Sequence, residues 1–223
     1  MKPIIVAIDG PSGAGKSTLG KMVARAIGAL YIDSGAMYRA VALAAIEKGV
    51  DTGDREAVAE VARQSRIALV GEPTSLRVSL DGRDVTEAIR TEAVTHASSV
   101  ISVIPEVRRI LVERQREMGA EGSVVMDGRD IGTVVFPQAD FKFFLTARPE
   151  KRAVRRFEED LGRKRNATLE ETLADINARD LRDSTRTDSP LVAAEDAIVI
   201  DSTDMSVNEV FERMLAYIVG ERV

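Results

Sequence analysis

The residues best equipped for chemistry begin at position 10. Gly10-Pro11-Ser12-Gly13-Ala14-Gly15-Lys16-Ser17-Thr18 contains the full G-x-x-x-x-G-K-[ST] pattern. Glycines let successive backbone N–H groups curl around phosphate oxygens. The helix that must start behind them adds the positive end of its dipole. Lys16 supplies a point charge for β- and γ-phosphates, and Ser17 offers a hydroxyl to Mg²⁺. A Gly-rich turn that merely joins a strand to a helix would not need the lysine and the hydroxyl in this order. The loop therefore predicts a nucleoside triphosphate site. It does not by itself distinguish a kinase from a GTPase or a motor ATPase, although no Asn-Lys-x-Asp guanine reader is present.

Three more clusters combine carboxylates with arginines. In Asp33-Ser34-Gly35-Ala36-Met37-Tyr38-Arg39, the adjacent Tyr38 and Arg39 could hold a phosphate. The same stretch reads equally well as a helix start with Asp33 or Ser34 as N-cap. Asp127-Gly128-Arg129-Asp130 could serve Mg²⁺, a base edge and a phosphate, or be a salt-bridged turn. In Arg179-Asp180-Leu181-Arg182-Asp183-Ser184-Thr185-Arg186, positions 179, 182, 183 and 186 share one helical face. Arg152, Arg155 and Arg156 form a similar stripe upstream. A lid over a triphosphate needs such arginines, and a solvated helix face would also hold them.

The elements needed to position these groups are legible. Residues 4–8 are a continuous β-branched apolar run, as in a buried parallel strand. Residues 17–27 follow an amphipathic helical pattern, 30–32 a short strand, and 36–48 a helix closed by Gly49. This βαβ start predicts a doubly wound α/β fold with a parallel sheet. Ligands then bind at the C-terminal edge of the strands, where the clusters at 33–39 and 127–130 fall. Short strands at 66–70, 76–80 and 83–85, with the Asp81-Gly82 turn between the last two, predict a small antiparallel sheet. Further helices are expected from about 93, from Pro105 to 119, at 150–161, 169–181 and 207–219, with strands at 123–126, 141–145 and 197–200. The polar segment 183–190 reads as a connection. The chain is thus one domain over 1–223. An acceptor-binding insertion spans about 35–100, with its small sheet at about 63–95, and a lid spans about 150–186.

Composition narrows the function classes. With no cysteine and one histidine in 223 residues, thiolate and multi-histidine metal sites are excluded, and a reducing cytoplasm fits best. His96 has no chemical company in its neighbourhood and reads as structural. The first apolar run ends at Asp9, too early for a signal peptide, and no run reaches membrane-spanning length. A net charge of −5 does not favour nucleic-acid binding.

The motifs at 8–18, 33–39, 127–137 and 179–186, taken together, resemble those of bacterial cytidylate kinases, and the likeness extends over essentially the whole chain. The inserted sheet after residue 63 is similar to that family's enlarged acceptor domain. The resemblance implies ATP and Mg²⁺ on residues 10–18, and CMP or dCMP as acceptor. Ser17 would bind the metal, with Asp33 or Asp127 at one remove. Arg39 and Arg129 would meet the acceptor phosphate beside Tyr38 and Ser34. Ser99, Arg108 and Asp130 would read the cytosine, with Ser98 adjacent to Ser99. Arg179 and Asp183 would hold the sugar, and Arg186 the acceptor and transferred group. Arg155 and Arg156 would belong to the lid. Lys16, Arg129, Asp183 and Arg186 would form the catalytic set, in a monomer acting on small nucleotides. Two other readings stand beside it. One is a P-loop kinase for a hydroxyl acceptor of the shikimate or dephospho-coenzyme A type, with Asp33 as base. The other is a nucleotide-dependent switch without an acceptor.

Overall fold

The computed structural model describes residues 3–120, 122–162 and 168–220. The β-branched run becomes β1 (Ile5–Asp9), the central strand of a five-stranded parallel sheet. Its companions are β2 (Leu30–Asp33), β6 (Val124–Gly128), β7 (Phe141–Thr146) and β8 (Ile198–Asp201), in the order β2-β6-β1-β7-β8. Val6 and Ile8 point into one core layer, with Leu19 and Val23 of α1 (Lys16–Ile27) and Val210 and Met214 of α8 (Val207–Gly220). Ala7 points into the other layer, with Met37 and Val41 of α2 (Ser34–Glu47) and Val107 and Leu111 of α5 (Pro105–Gly119). Burial on both faces explains why the strands read as continuous apolar runs rather than alternating ones.

The register brings the polar strand ends together. Asp33 of β2 lies opposite Asp127 of β6, and Asp9 of β1 lies opposite Gly128. Two adjacent rungs of the sheet edge therefore collect polar residues from three strands. The second sheet is antiparallel, built of β3 (Ile67–Val70), β4 (Arg77–Leu80) and β5 (Arg83–Asp84). Its hairpin turns at Asp81 and Gly82, with φ of 52° and 83°. Two consecutive positive values suit the right-handed twist of the flanking strands, hence the Asp-Gly pair.

Three features depart from the sequence expectation. The chain forms α3 (Arg55–Gln64), where no element was anticipated. Its buried face is two valines and two alanines, a weak periodic signal, and Asp54 caps it by accepting the Ala57 N–H. A π-helical turn, Ile131–Val135, follows β6 after Arg129 and Asp130. The helix over 169–181 continues as α7 (Leu169–Thr185), so Asp183 lies in its last turn rather than in a connection. The remaining helices, α4 (Glu92–Ile101) and α6 (Pro149–Gly162), fall where expected. Part of the anticipated lid, 163–167, lies outside the described residues. Among the described residues no helix is long and apolar enough to cross a membrane.

Candidate active site

The phosphate loop turns at the end of β1 with Gly10, Gly13 and Gly15 at φ of 145°, 74° and 87°. Gly10 admits no substitution: a Cβ there would lie 2.0 Å from the Leu145 carbonyl oxygen. Lys16 is buried and donates to the Pro11 carbonyl at 2.7 Å. Burial, then the nearby Arg129, hold its ammonium well below the ordinary lysine range. Ser17 donates its hydroxyl to Asp127 Oδ2 at 2.9 Å, and the buried Tyr31 donates to Asp127 Oδ1 at 2.6 Å. The Ser17 hydroxyl and a carboxylate directly behind it make an oxygen set suited to Mg²⁺ held largely through water. No group of three acidic or histidine residues that could hold a metal alone occurs among the described residues.

Burial raises Asp127 from 3.8 to about 6, reinforced by Asp33 and opposed by Lys16 and Tyr31. The sign follows. Between about pH 4 and 6 the folded protein takes up a proton at this site that the unfolded chain does not. Stability contributed by Asp127 is therefore greatest below that window and is lost as pH rises through it. Relative to Asp127→Asn, the ligand-free protein is expected to lose on the order of 1–3 kcal/mol between pH 4 and 6.5. Paired denaturation curves check this, and a difference that stays flat or grows with pH contradicts it.

Across the sheet edge, a cleft of about 550 Å³ joins the phosphate loop to the insertion. Ser34, Tyr38, Arg39, Arg108, Arg129, Asp130, Arg179, Asp183 and Arg186 all line it, together with Lys16, Ser17 and Arg156. Its arginines rest on carboxylates. Arg39 contacts Asp33 at 2.8 Å, and Arg129 contacts Asp183 at 2.8 Å. Arg179 and Arg186 stand 3.9 Å from Asp183. Asp130 pairs with the buried Arg108 and lies 3.9 Å from Arg186, rather than pairing with Arg129. Arg108 also stacks over the Tyr38 ring, 5.6 Å from its centroid. Burial, then Arg129, push Arg179 down to about 9. Arg39 Nε, Arg179 Nε and Arg186 Nη2 are buried with no hydrogen-bond partner among the described residues. Orphaned buried donors on crowded cations cost stability unless an anion completes them.

Asp33 is the N-cap of α2, accepting the Ala36 N–H at 2.8 Å, while Ser34 donates to the Asp127 carbonyl at 2.7 Å. Burial raises the Asp33 carboxyl, but Arg39 and the Ala36 N–H outweigh it and leave it below the ordinary range. Such a group is a poor general base.

Ser99 is buried on α4 beside the cleft. It is turned towards α7 and accepts from Arg182 Nε at 3.2 Å. Thr95, Ser98 and Ser102 of the same helix line the cleft, since spacings of three and four share a helix face and position 99 is rotated from Ser98 by about 100°. Arg152 also departs from the expected stripe. It is buried, donating to the Ser12 carbonyl at 3.0 Å and contacting Asp180 at 2.5 Å, so it ties α6 and α7 to the phosphate loop. Arg155 lies against a second cavity of about 350 Å³ behind Gly13–Gly15, where it donates to the Ser202 carbonyl at 2.6 Å. Ser202, Met205 and Ser206, which line that cavity, carry no motif by which the sequence could have marked them.

A phosphate loop on the central strand of a parallel sheet, facing an arginine-lined acceptor cleft, defines a P-loop kinase, a phosphotransferase of the α/β class. The family model described as cytidylate kinase matches residues 6–219, and on that match the chain belongs to the cytidylate kinase family. It is 51% identical over 224 residues to a cytidylate kinase of Solibacter usitatus, covering 100% of this chain and 94% of that protein. It is 52% identical over 209 residues to one of Caldanaerobacter subterraneus, covering 94% and 92%. A solved structure of an uncharacterized protein from Eubacterium ventriosum shares the fold, with a TM-score of 0.52 at 14% identity over 96% of this chain and 98% of that one.

Proposed function

We propose that the chain transfers the γ-phosphoryl group of ATP to CMP or dCMP, giving ADP and CDP or dCDP. The observation that carries this reading is the gathering of Lys16, Arg39, Arg129, Arg179 and Arg186 in one cleft, with buried donors lacking partners. A triphosphate and a monophosphate facing each other supply the missing anions. Family membership selects the cytidine nucleotide over a hydroxyl acceptor, and the depressed Asp33 argues against the base that such an acceptor would need. A nucleotide switch without an acceptor leaves the insertion-side arginines without a task. ADP release measured with CMP, dCMP, UMP, AMP and shikimate tests the reading. Turnover led by any acceptor other than the two cytidine nucleotides would overturn it.

In this reading residues 10–18 hold ATP, and Ser17 holds Mg²⁺ with Asp127 oriented behind it. Bound Mg²⁺ would supply neutralisation of the charge that develops on the phosphates. Lys16 faces the β/γ-phosphates, and Arg39 and Arg129 turn from their carboxylates to the acceptor phosphate. Asp130, Arg108 and Ser99 read the base, with Ser99 exchanging its Arg182 contact for it. Arg179 and Asp183 hold the sugar, and Arg186 spans acceptor and transferred group. Segment 35–100 serves as the acceptor insertion and 150–186, with Arg155 and Arg156, as the lid. The acceptor is already anionic near neutral pH, since a phosphate monoester has a second pKa of ~6, so no general base is required. What remains is alignment and charge neutralisation. With a net charge of −5, we read the chain as a cytoplasmic monomer acting on free nucleotides rather than polymers.

Arg39→Ala is expected to weaken CMP by about 1.5 kcal/mol, roughly tenfold, with little change for ATP. Titration of each nucleotide separately checks it. Equal losses for both substrates would move Arg39 off the acceptor side.

A further inference from the structure

Asp9 is a buried carboxylate that does not line the cleft, yet it holds both ends of the site together. It ends β1, one residue before the phosphate loop. Its Oδ1 accepts the Ile131 N–H at 2.8 Å and its Oδ2 accepts the Gly132 N–H at 2.7 Å. Those are the first two amides of the π-helical turn that follows β6. At the start of such a turn these N–H groups have no partner within the turn itself. The residue placed to cap them locally is Asp130, a side chain type that caps well. Asp130 makes no side-chain capping bond. Its carboxylate instead points into the cleft and meets Arg108. Gly132 keeps the approach close, since a Cβ there would lie 3.4 Å from Asp9 Oδ2 and 3.2 Å from Lys142.

The geometry points to Asp9 as a positioning residue for acceptor selection: by capping the 131–135 turn from a neighbouring strand, it releases the Asp130 carboxylate to face the base. The inference rests on the assignment of Asp130 as base reader. In Asp9→Asn one amide oxygen still accepts an N–H, but the NH₂ now opposes the other. The freed amide draws the Asp130 carboxylate back towards its own turn, away from Arg108 and the base. The loss then falls on discrimination between cytosine and uracil, because the group that discriminates has turned away.

The test is a double-mutant cycle on kcat/KM for CMP and UMP at saturating ATP, with melting curves for each protein. Asp9→Asn alone is expected to lower the CMP/UMP ratio at least about fivefold, and to change it less than about twofold when Asp130→Asn is already present. A general structural role for Asp9 would lower both acceptors alike and leave the ratio in place in either background. A ratio moved by Asp130→Asn but not by Asp9→Asn, or moved equally by Asp9→Asn in both backgrounds, overturns the inference alone. A ratio unmoved by Asp130→Asn overturns the base reading and the inference with it. Should Asp9→Asn not fold, amide exchange in the unaltered, ligand-free protein decides. The inference requires slow exchange at both Ile131 and Gly132, and exchange at either as fast as an open turn overturns it.

Discussion

Lys16→Ala is expected to lose at least about a hundredfold in turnover while keeping its fold. The lysine has no packing task that alanine would forfeit at high cost. Its ammonium is desolvated, lies among Arg129, Asp127 and Arg179, and donates to the loop carbonyl of Pro11. Removing a buried cation from a cluster of cations relieves repulsion, so the ligand-free variant should melt close to the parent. The loss appears where negative charge shifts between phosphates, because a fixed charge in a dry site needs no reorganisation at that moment. Coupled ADP release with CMP, read beside a melting curve, measures both halves. Near-normal turnover in a folded Lys16→Ala protein would remove the phosphate loop from the mechanism.

Asp130→Asn is expected to narrow the gap between CMP and UMP by about 1–3 kcal/mol, roughly 5- to 150-fold. Cytosine presents an amino donor where uracil presents a carbonyl. A carboxylate accepts from the first and opposes the second, whereas an amide turns either end to suit. The structure adds a stability cost. Arg108 is 3% exposed at its side chain and pairs with Asp130, so neutralising the partner leaves a buried guanidinium uncompensated. The variant should therefore melt lower, with kcat/KM for CMP falling and that for UMP holding or rising. If Asp130 served only to neutralise Arg108, both acceptors would lose together and their ratio would stay put.

The phosphate loop was legible because its chemistry fixes residue types at fixed spacing, and the strand and helix on either side are strongly periodic. The acceptor side was legible as clusters of charge, but not as pairings. Arg39 with Asp33 lies within one motif, whereas Arg129 with Asp183 and Arg108 with Asp130 join distant segments. Only the fold brings these together. Spacing places Ser98 and Ser99 side by side on α4 but not their rotational phase: Ser98 lines the cleft, whereas Ser99, turned about 100° further round the helix, meets Arg182. Helix α3 escaped notice because alanines mark a buried face faintly. The segment after 181 reads as a polar connection because its charges are explained by the arginine–carboxylate contacts of α7, not by its own propensity.

The rung of Asp33 and Asp127, next to that of Asp9 and Gly128, ties catalytic competence to strand alignment. A slip of β6 by a single residue would put Met126 or Gly128 opposite Asp33 and send the Asp127 carboxylate to the other face of the sheet, because side-chain direction alternates along a strand. Ser17 and Tyr31 would lose their common acceptor in the same step. Single-residue deletions within β1, β2 or β6 should thus abolish activity even in chains that still collapse, whereas length changes in the hairpin at Asp81-Gly82 leave this rung untouched. Tolerance to insertion and deletion along the gene should trace the sheet edge more sharply than tolerance to substitution does.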